Sequence, residues 1–475
     1  MQNDTYDNMP EHLLESHRMS LTTRFGLVAG TTALAIAGTA FGGAESDNDA
    51  LSQIAELKQE LAELKQQDSQ DWLTEQRASE IRGIVQDVLA DADTRTSFQN
   101  SGAMAGWNKG FFLASPDGNF RLNVGGMLQT RFTLNNAKDG TPAKNLYGFD
   151  MGNTYLDFSG HVVDPSWQFH VRGYFSGVGM NGNGNGMNTL AFASVTKDFG
   201  DGWGVTAGQF RGPWLRETLV DDGYQLGMER SISNAYFTQG FDQGIQLNYE
   251  SEAFRANAFI GDGVLQATNV AGPTGTQNST WNSNNTKYAL AGRFEYKISG
   301  DWAIFDDFTS FKDEEGGMMV GVAGVYETGG QNVGAASPFL NKSIYGLTGD
   351  FSWEMGGANL FASFTWLGNN IDNSNNPWGF NVQGGYFVTE DIEIFGRYDY
   401  IDYDIDAGGA NADQTKYNGV TFGANYFMSA NVKCTVEWGM NLKSFGSDNI
   451  SYGFRADVLD NKDQWALRGQ IQLMF

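Results

Sequence analysis

The sequence predicts an all-β membrane protein: a 16-stranded antiparallel transmembrane β-barrel preceded by a short α-helical coiled coil. Three observations carry this. From Trp107 onward, apolar and polar residues alternate with a period of two over many separate segments. The connections between those segments alternate between tight and long. The last stretch, "WALRGQIQLMF" (Trp465–Phe475), alternates in the same way and ends on an aromatic residue.

Composition narrows the class. Charged residues are 18% of the 475, too few for a disordered chain. The formal charge of −26 excludes nucleic acid as a partner, because phosphate contacts need clustered Lys and Arg. Cys434 is the single cysteine, so neither an intrachain disulfide nor a cysteine zinc centre can form. A mean hydropathy of −0.37 suits a barrel, in which only alternate residues meet lipid.

At the N-terminus, Arg18 and Arg24 precede the apolar "FGLVAGTTALAIAGTAFGGA" (Phe25–Ala44). A charged start, a diluted apolar run and small residues at its end read as a secretory signal peptide over residues 1–44. The region ahead of Arg18 is long and acidic, which makes Met19 a candidate true start. Beyond Ala44 no stretch approaches the ~18 consecutive apolar residues of a membrane helix. Removing residues 1–44 takes away four acids (Asp4, Asp7, Glu11, Glu15) and two bases (Arg18, Arg24), leaving −24. That charge predicts a mild cation preference.

Residues 45–96 read as a periplasmic coiled-coil segment. Ile54, Leu57, Leu61 and Leu64 form an a/d seam, and Ile81, Ile84, Val85, Val88 and Leu89 form a second periodic piece. A single amphipathic helix lying on its own domain is the competing reading. Residues 97–106 read as a linker, and 107–475 as the barrel.

The first strand shows the pattern. In "RLNVGGMLQTRFTL" (Arg121–Leu134), Leu122, Val124, Leu128, Phe132 and Leu134 share one face, and Arg121 and Arg131 the other. Similar segments follow at Tyr155–Val162, Trp167–Phe175, Leu190–Thr196, Trp203–Phe210, Gly244–Tyr249 and Phe254–Ile260. They continue at Tyr288–Lys297, Met318–Tyr326, Ser343–Trp353, Leu360–Trp366, Phe380–Val388 and Ile392–Tyr400. Val420–Met428, Val432–Met440 and Gln464–Phe475 complete an even set. Tight connections such as "DPS", "ESEA" and "TED" alternate with long ones, including Asn135–Asn153 and Gly212–Gly240. Short periplasmic turns and long external loops produce that alternation. Ile298–Gly317 departs from it, being long where a tight turn belongs. Trp203, Tyr288, Tyr296, Trp353, Trp366, Tyr386 and Trp438 are placed to form interfacial girdles.

Several stretches resemble the phosphate-selective porin O and P family, especially its versions with an N-terminal coiled coil. They are "WNKGFFLASPDGNFRLNVGGMLQTRF" (Trp107–Phe132), "YLDFSGHVVDPSWQFHVRGYF" (Tyr155–Phe175), "VTAGQFRGPWLRE" (Val205–Glu217) and "GMERSISN" (Gly227–Asn234). "RFEYKISGDW" (Arg293–Trp302) and the closing strand fit as well. The resemblance implies a trimeric outer-membrane porin of a diderm bacterium, with its N-terminal segment in the periplasm. Its partners are then two further copies of itself, outer-membrane lipid and, through the coiled coil, the cell wall. Phe475 resembles the C-terminal signal that outer-membrane assembly machinery reads.

The expected pore lining includes Arg121, Arg131, Asp157, Arg172, Arg293, Arg397 and Arg468. Lys433, Glu295, Asp350, Glu393, Asp399 and Glu437 face the same way, so the lining is mixed in charge. Anion selectivity would need basic residues concentrated along the pore. Where family members carry arginines before the second strand, this chain has "MGNTYLDF".

Gly212–Gly240 is the third external loop in this order, and the resemblance points to it as an inward-folded constriction. Arg211, Arg216, Glu217, Asp221, Asp222, Glu229 and Arg230 are its candidate residues. Mixed charges there create a transverse field across the pore. The competing reading makes them ion pairs that pin the loop to the wall.

Asp402, Asp404, Asp406 and Asp413 fall at positions 1, 3, 5 and 12 of a calcium loop. Ala407 stands where that loop needs glycine and no flanking helices are predicted, so an acidic external loop reads better. No cofactor motif is present. His161 and His170 alternate onto the lumen face, and neither HExxH nor GxSxG occurs. The reading is therefore not an enzyme but a porin for passive diffusion of small hydrophilic solutes and ions. The alternative is a structural envelope protein that uses the barrel as an anchor.

Overall fold

The computed structural model describes residues 103–107, 110–137, 143–176, 189–265, 286–330, 340–372, 374–404, 415–443, 454–455 and 462–475. The predicted signal peptide, the coiled coil and most of the linker lie outside the described residues.

A short pair, β1 (Met104–Trp107) and β2 (Phe111–Ala114), precedes the first long strand, β3 (Arg121–Asn136). Next come β4 (Asn145–Met151), β5 (Tyr155–His161), β6 (Trp167–Tyr174), β7 (Thr189–Gly200) and β8 (Trp203–Phe210). Residues 211–241 separate these from β9 (Asp242–Glu250), β10 (Phe254–Gly261), β11 (Thr286–Ser299) and β12 (Gly317–Gly329). The chain continues through β13 (Ser343–Glu354), β14 (Ala358–Asn369), β15 (Trp378–Phe387) and β16 (Ile392–Asp402). It finishes with β17 (Lys416–Ser429), β18 (Val432–Lys443) and β19 (Trp465–Met474).

Consecutive strands from β5 to β19 pair antiparallel, β5 pairs with β3, and β19 returns to β3. The result is a closed 16-stranded barrel. β4 and β5 share one position in the ring, β4 along the far half of β3 and β5 along its near half. At the seam, the Phe475 amide donates to the Gly126 carbonyl at 3.1 Å, and the Gly126 amide donates back at 2.9 Å. β2 then takes over the same edge of β3, from Phe111 opposite Val124 to Ala114 opposite Arg121. Closure matters because lipid offers nothing to an unpaired backbone N–H or C=O.

The strict period of two sorts the side chains. Leu128, Leu290, Val322, Leu347, Phe364, Phe422, Val436 and Ile471 project outward and are exposed. Such a surface is costly in water and natural in hydrocarbon. Trp203, Tyr288, Tyr296, Trp353 and Tyr386 are exposed on the same face, while Trp366 and Trp438 are half-buried.

The structure corrects the sequence in three places. Asn135–Asn153 is not all loop, since β4 lies within it; "NLYGFDM" alternates too, with Tyr147, Phe149 and Met151 outward beside β3. Residues 104–106 of the expected linker belong to β1. The long connection between β11 and β12, where a tight turn was due, is built inward. It contains a 3-10 turn, Trp302–Phe305, and then enters the barrel, where Phe308 meets Phe361 with ring centroids 4.8 Å apart.

Candidate pore lining and inner loop

Residues 211–241 lie against the inner wall. They form two short helices, α1 (Arg216–Leu219) and α2 (Ile232–Phe237), with a 3-10 turn at Asp222–Tyr224 between them. Neither helix is long enough to be stable alone. Ser231 caps α2, its Oγ accepting the Asn234 amide at 2.9 Å. Trp214, Tyr236 and Phe237 are buried in one apolar cluster with inward residues Val325, Ile344, Leu367 and Ile401. The Trp214 indole donates to the Phe237 carbonyl at 3.0 Å, tying one end of the loop to the other.

Charge pairs complete the seat, and every candidate loop residue takes part. Glu229 meets Arg131 of β3 at 2.5 Å. Asp221 meets Arg172 of β6 at 2.5 Å, and Arg172 also binds Asp157 of β5 at 3.0 Å. Asp222 is held by Arg211 at 3.1 Å, by Arg230 and by the Tyr174 hydroxyl. Glu217 accepts the Ser231 amide at 2.6 Å and lies 3.7 Å from Arg397 of β16. Arg216 lies 3.9 Å from Glu295 of β11. Wall residues also bind the loop backbone: Arg293 donates to Trp214 O at 3.1 Å, Arg397 to Glu229 O at 2.8 Å and Lys433 to Gln225 O at 3.0 Å. The Met228 amide donates to Glu437 at 2.9 Å, and Glu437 is itself paired with Arg468.

Burial by itself would raise the Asp221 carboxyl. The guanidinium groups of Arg172 and Arg211 outweigh it and hold Asp221 below the usual carboxylate range. Asp222 is lowered for the same reason, with Arg230 and Arg211 overcoming burial. Asp221 is thus joined to the wall through Arg172, and Asp222 to its own loop through Arg211 and Arg230.

The wall is unevenly covered. Inward residues from β13 through β19 are almost all buried, among them Asn381, Gln383, Glu393, Asn425, Asn441 and Gln472. Across the barrel, Ser159, Gln168, His170, Ser194, Thr196, Gln246 and Asn257 of β5–β10 remain half-buried. That side is polar, with Arg172–Asp157 and Arg255–Glu250 among its charge pairs. His170 is bonded to Asp157 at 2.6 Å, and His161 to Gly118 O at 2.9 Å. Arg121, lower on β3, is half-buried over the Phe112 ring at 4.6 Å.

For the calcium candidate, Asp402 pairs with Lys416 at 3.0 Å and Asp404 accepts the Asn376 amide at 2.9 Å. Asp406 and Asp413 lie outside the described residues. Among the described residues no group of three or more His, Cys, Asp or Glu is placed to hold a metal ion.

A family model for phosphate-selective porin O and P matches residues 91–332, just over half of the chain. The chain belongs to that family. No curated protein is significantly similar to it in sequence. Among solved structures, the porin resembles the outer membrane channel DcaP of Acinetobacter baumannii, with 13% identity, a TM-score of 0.51 and coverage of 78% of this chain and 100% of the other. It also resembles the anion-selective porin from Comamonas acidovorans at 15% identity and TM-score 0.50, covering 74% and 99%. Salmonella typhi OmpF, solved with daunomycin, gives 12% identity and TM-score 0.50, covering 78% and 100%. At these identities the likeness is one of fold, and with the family match it makes the protein an outer-membrane barrel of the porin type.

One part of the porin's interior escaped the sequence reading. Phe361, Phe387 and Phe395 point inward and are buried, although the lumen face was expected to be polar. The signal was adjacent apolar residues that break the alternation, as in "NLFASF" and "IEIFG". A strand apolar on both faces has something packed against each.

Proposed function

We propose that this porin passes small hydrophilic solutes and ions by passive diffusion along the half-buried β5–β10 wall, with residues 211–241 narrowing the lumen. The observation that carries this is the asymmetry of the inner face. Ser, Thr, Gln and Asn side chains stay partly exposed along β5–β10, where the loop touches Arg172 and Tyr174 of β6, whereas the inner face of β13–β19 is almost wholly covered. Hydroxyl and amide groups replace part of a solute's hydration without holding it, which suits passage better than capture. The working form is proposed to be a homotrimer, with residues 45–96 in the periplasm holding the subunits together or reaching the cell wall.

Planar-bilayer conductance tests the route. Ser194→Trp fills the wetted side and is expected to lower single-channel conductance by more than half. Wild-type trimers that give no conductance steps would favour the anchor alternative. Unchanged conductance in Ser194→Trp would move the route elsewhere.

A further inference from the structure

The connection between β11 and β12, residues 300–316, enters the lumen from the rim opposite residues 211–241 and meets them. The Phe308 amide donates to the Tyr224 carbonyl at 3.1 Å. Phe308 joins Val220, Leu226, Phe361 and Phe395 in one apolar cluster drawn from both inner segments and the wall. Phe311 lies 5.0 Å from both Phe387 and Phe427. Ser310 accepts the Gly356 amide at 2.9 Å on Oγ and the Gly357 amide at 3.0 Å on its carbonyl. Trp302 anchors the base of the segment under Arg255, 4.3 Å above its ring.

The segment also brings like charges together. Glu314 and Glu393 of β16 act on Asp307, and Asp307, Glu314 and Glu393 all act on Glu354 of β13. Glu354 and Glu393 are buried, and Oε2 of Glu354 has no hydrogen-bond partner. Asp306 adds a fifth acid, while Lys433 and Arg216 are the cations that reach the group. Arg216 is already shared with Glu295, and Lys433 with two carbonyls of the other loop. Glycines stand at both ends, and Gly300 takes a φ of +83° that L side chains rarely adopt.

We propose that residues 300–316 are a proton-operated latch on the periplasmic half of the pore, seated when their carboxyl groups are neutral and released when they ionise. It rests on the channel reading above. Burial pushes Glu314 up to about 7, and burial together with Glu314 pushes Asp307 well above the carboxylate range. A raised carboxyl binds its proton more tightly in the seated form. Seating is therefore strongest at acid pH and weakens as pH rises from the free carboxyl's value through the raised one.

The test reads seating directly, in a Cys434→Ser background that removes the native thiol. Ser310 is 1% exposed, so S310C is shielded while the latch is seated. Its reaction rate with a charged methanethiosulfonate is taken relative to D313C, which is exposed, so the ordinary rise in thiolate with pH divides out, and the same cysteine in the D307N/E314Q/E354Q variant reads what belongs to the buried site itself. The ratio is expected to rise about tenfold from pH 5 to pH 9. D307N/E314Q/E354Q is expected to stay at the low value throughout, and F308A to start near the high one. A flat ratio in the parent, or an unchanged pH response in the triple variant, overturns the latch. A ratio that moves in trimers showing no conductance keeps the latch and rejects the pore.

Discussion

Arg293 of β11 and Asp350 of β13 form a two-pronged ion pair across the strand between them, with nitrogen–oxygen distances of 2.8 and 2.9 Å. The pair passes directly over Gly321 of β12, where a Cβ would collide with both side chains. Arg293 also holds the Trp214 carbonyl, so the wall pair and the loop seat are one unit. Gly321→Ala is expected to lower the stability of the folded barrel by about 1–3 kcal/mol, as overpacking does. Loss of the heat-modifiable form at lower urea concentration measures it, and an unchanged midpoint would mean that the pair does not need that glycine.

Removing one member of the Arg131–Glu229 pair should have unequal effects. Arg131 keeps Gln470, which accepts from it at 2.9 and 2.7 Å, when Glu229 is changed to Gln. Among the described residues Arg131 is the cation paired with Glu229, so Arg131→Ala leaves a buried carboxylate. A buried charge left unpaired costs roughly 3–5 kcal/mol. R131A is therefore expected to unfold well before E229Q in the same urea series, and R131A/E229Q to recover most of the loss. Equal midpoints for the two single variants would remove the asymmetry.

The loop of residues 211–241 and the latch should answer pH in opposite directions. Asp221 and Asp222 are lowered, so the seated loop binds fewer protons than the released one. Their contribution is complete above the ordinary aspartate value of about 4 and fades only as pH falls through the lowered values. Hydrogen exchange of peptides covering residues 214–219, outside the Phe308 cluster, corrected for the chemical rate, should stay slow from pH 9 down to about pH 4 and quicken below it. Quickening between pH 6 and 9 would place the titrating groups elsewhere.

The sequence carried the barrel well because strand parity is strict: once Arg121 faces inward, so must Arg131. The positions of Arg131, Arg172, Arg293, Arg397 and Arg468 on the inner face follow from that alone. Which of them would be covered did not follow. Whether residues 211–241 fold in or out depends on docking between groups far apart in sequence, such as Met228 and Glu437. Residues 300–316 were visible only as a connection of unexpected length. Their purpose becomes readable when Phe308 is set against Phe361, because an inward phenylalanine has no reason to face water.

Ion preference should come from the rims more than from the interior. Inside, apart from the acids around residues 300–316, which are neutral while the latch is seated, cations and acids are joined in pairs such as Arg172–Asp221 and Arg468–Glu437, which largely cancel at a distance. At the rim with the short turns, Asp198, Asp201, Glu252, Asp301, Asp313, Glu315, Glu390 and Asp391 are exposed, with Lys312 among them. Exposed charge acts over a screening length of about 30 Å at 0.01 M salt and about 3 Å at 1 M. Reversal potentials in KCl gradients should therefore show potassium preferred over chloride in dilute salt, with the ratio falling towards one in concentrated salt. E390Q/D391N should weaken the dilute-salt preference and leave concentrated-salt conductance unchanged. Chloride preference in dilute salt, or a potassium preference that persists at 1 M, would instead locate selectivity at an uncompensated charge inside the lumen.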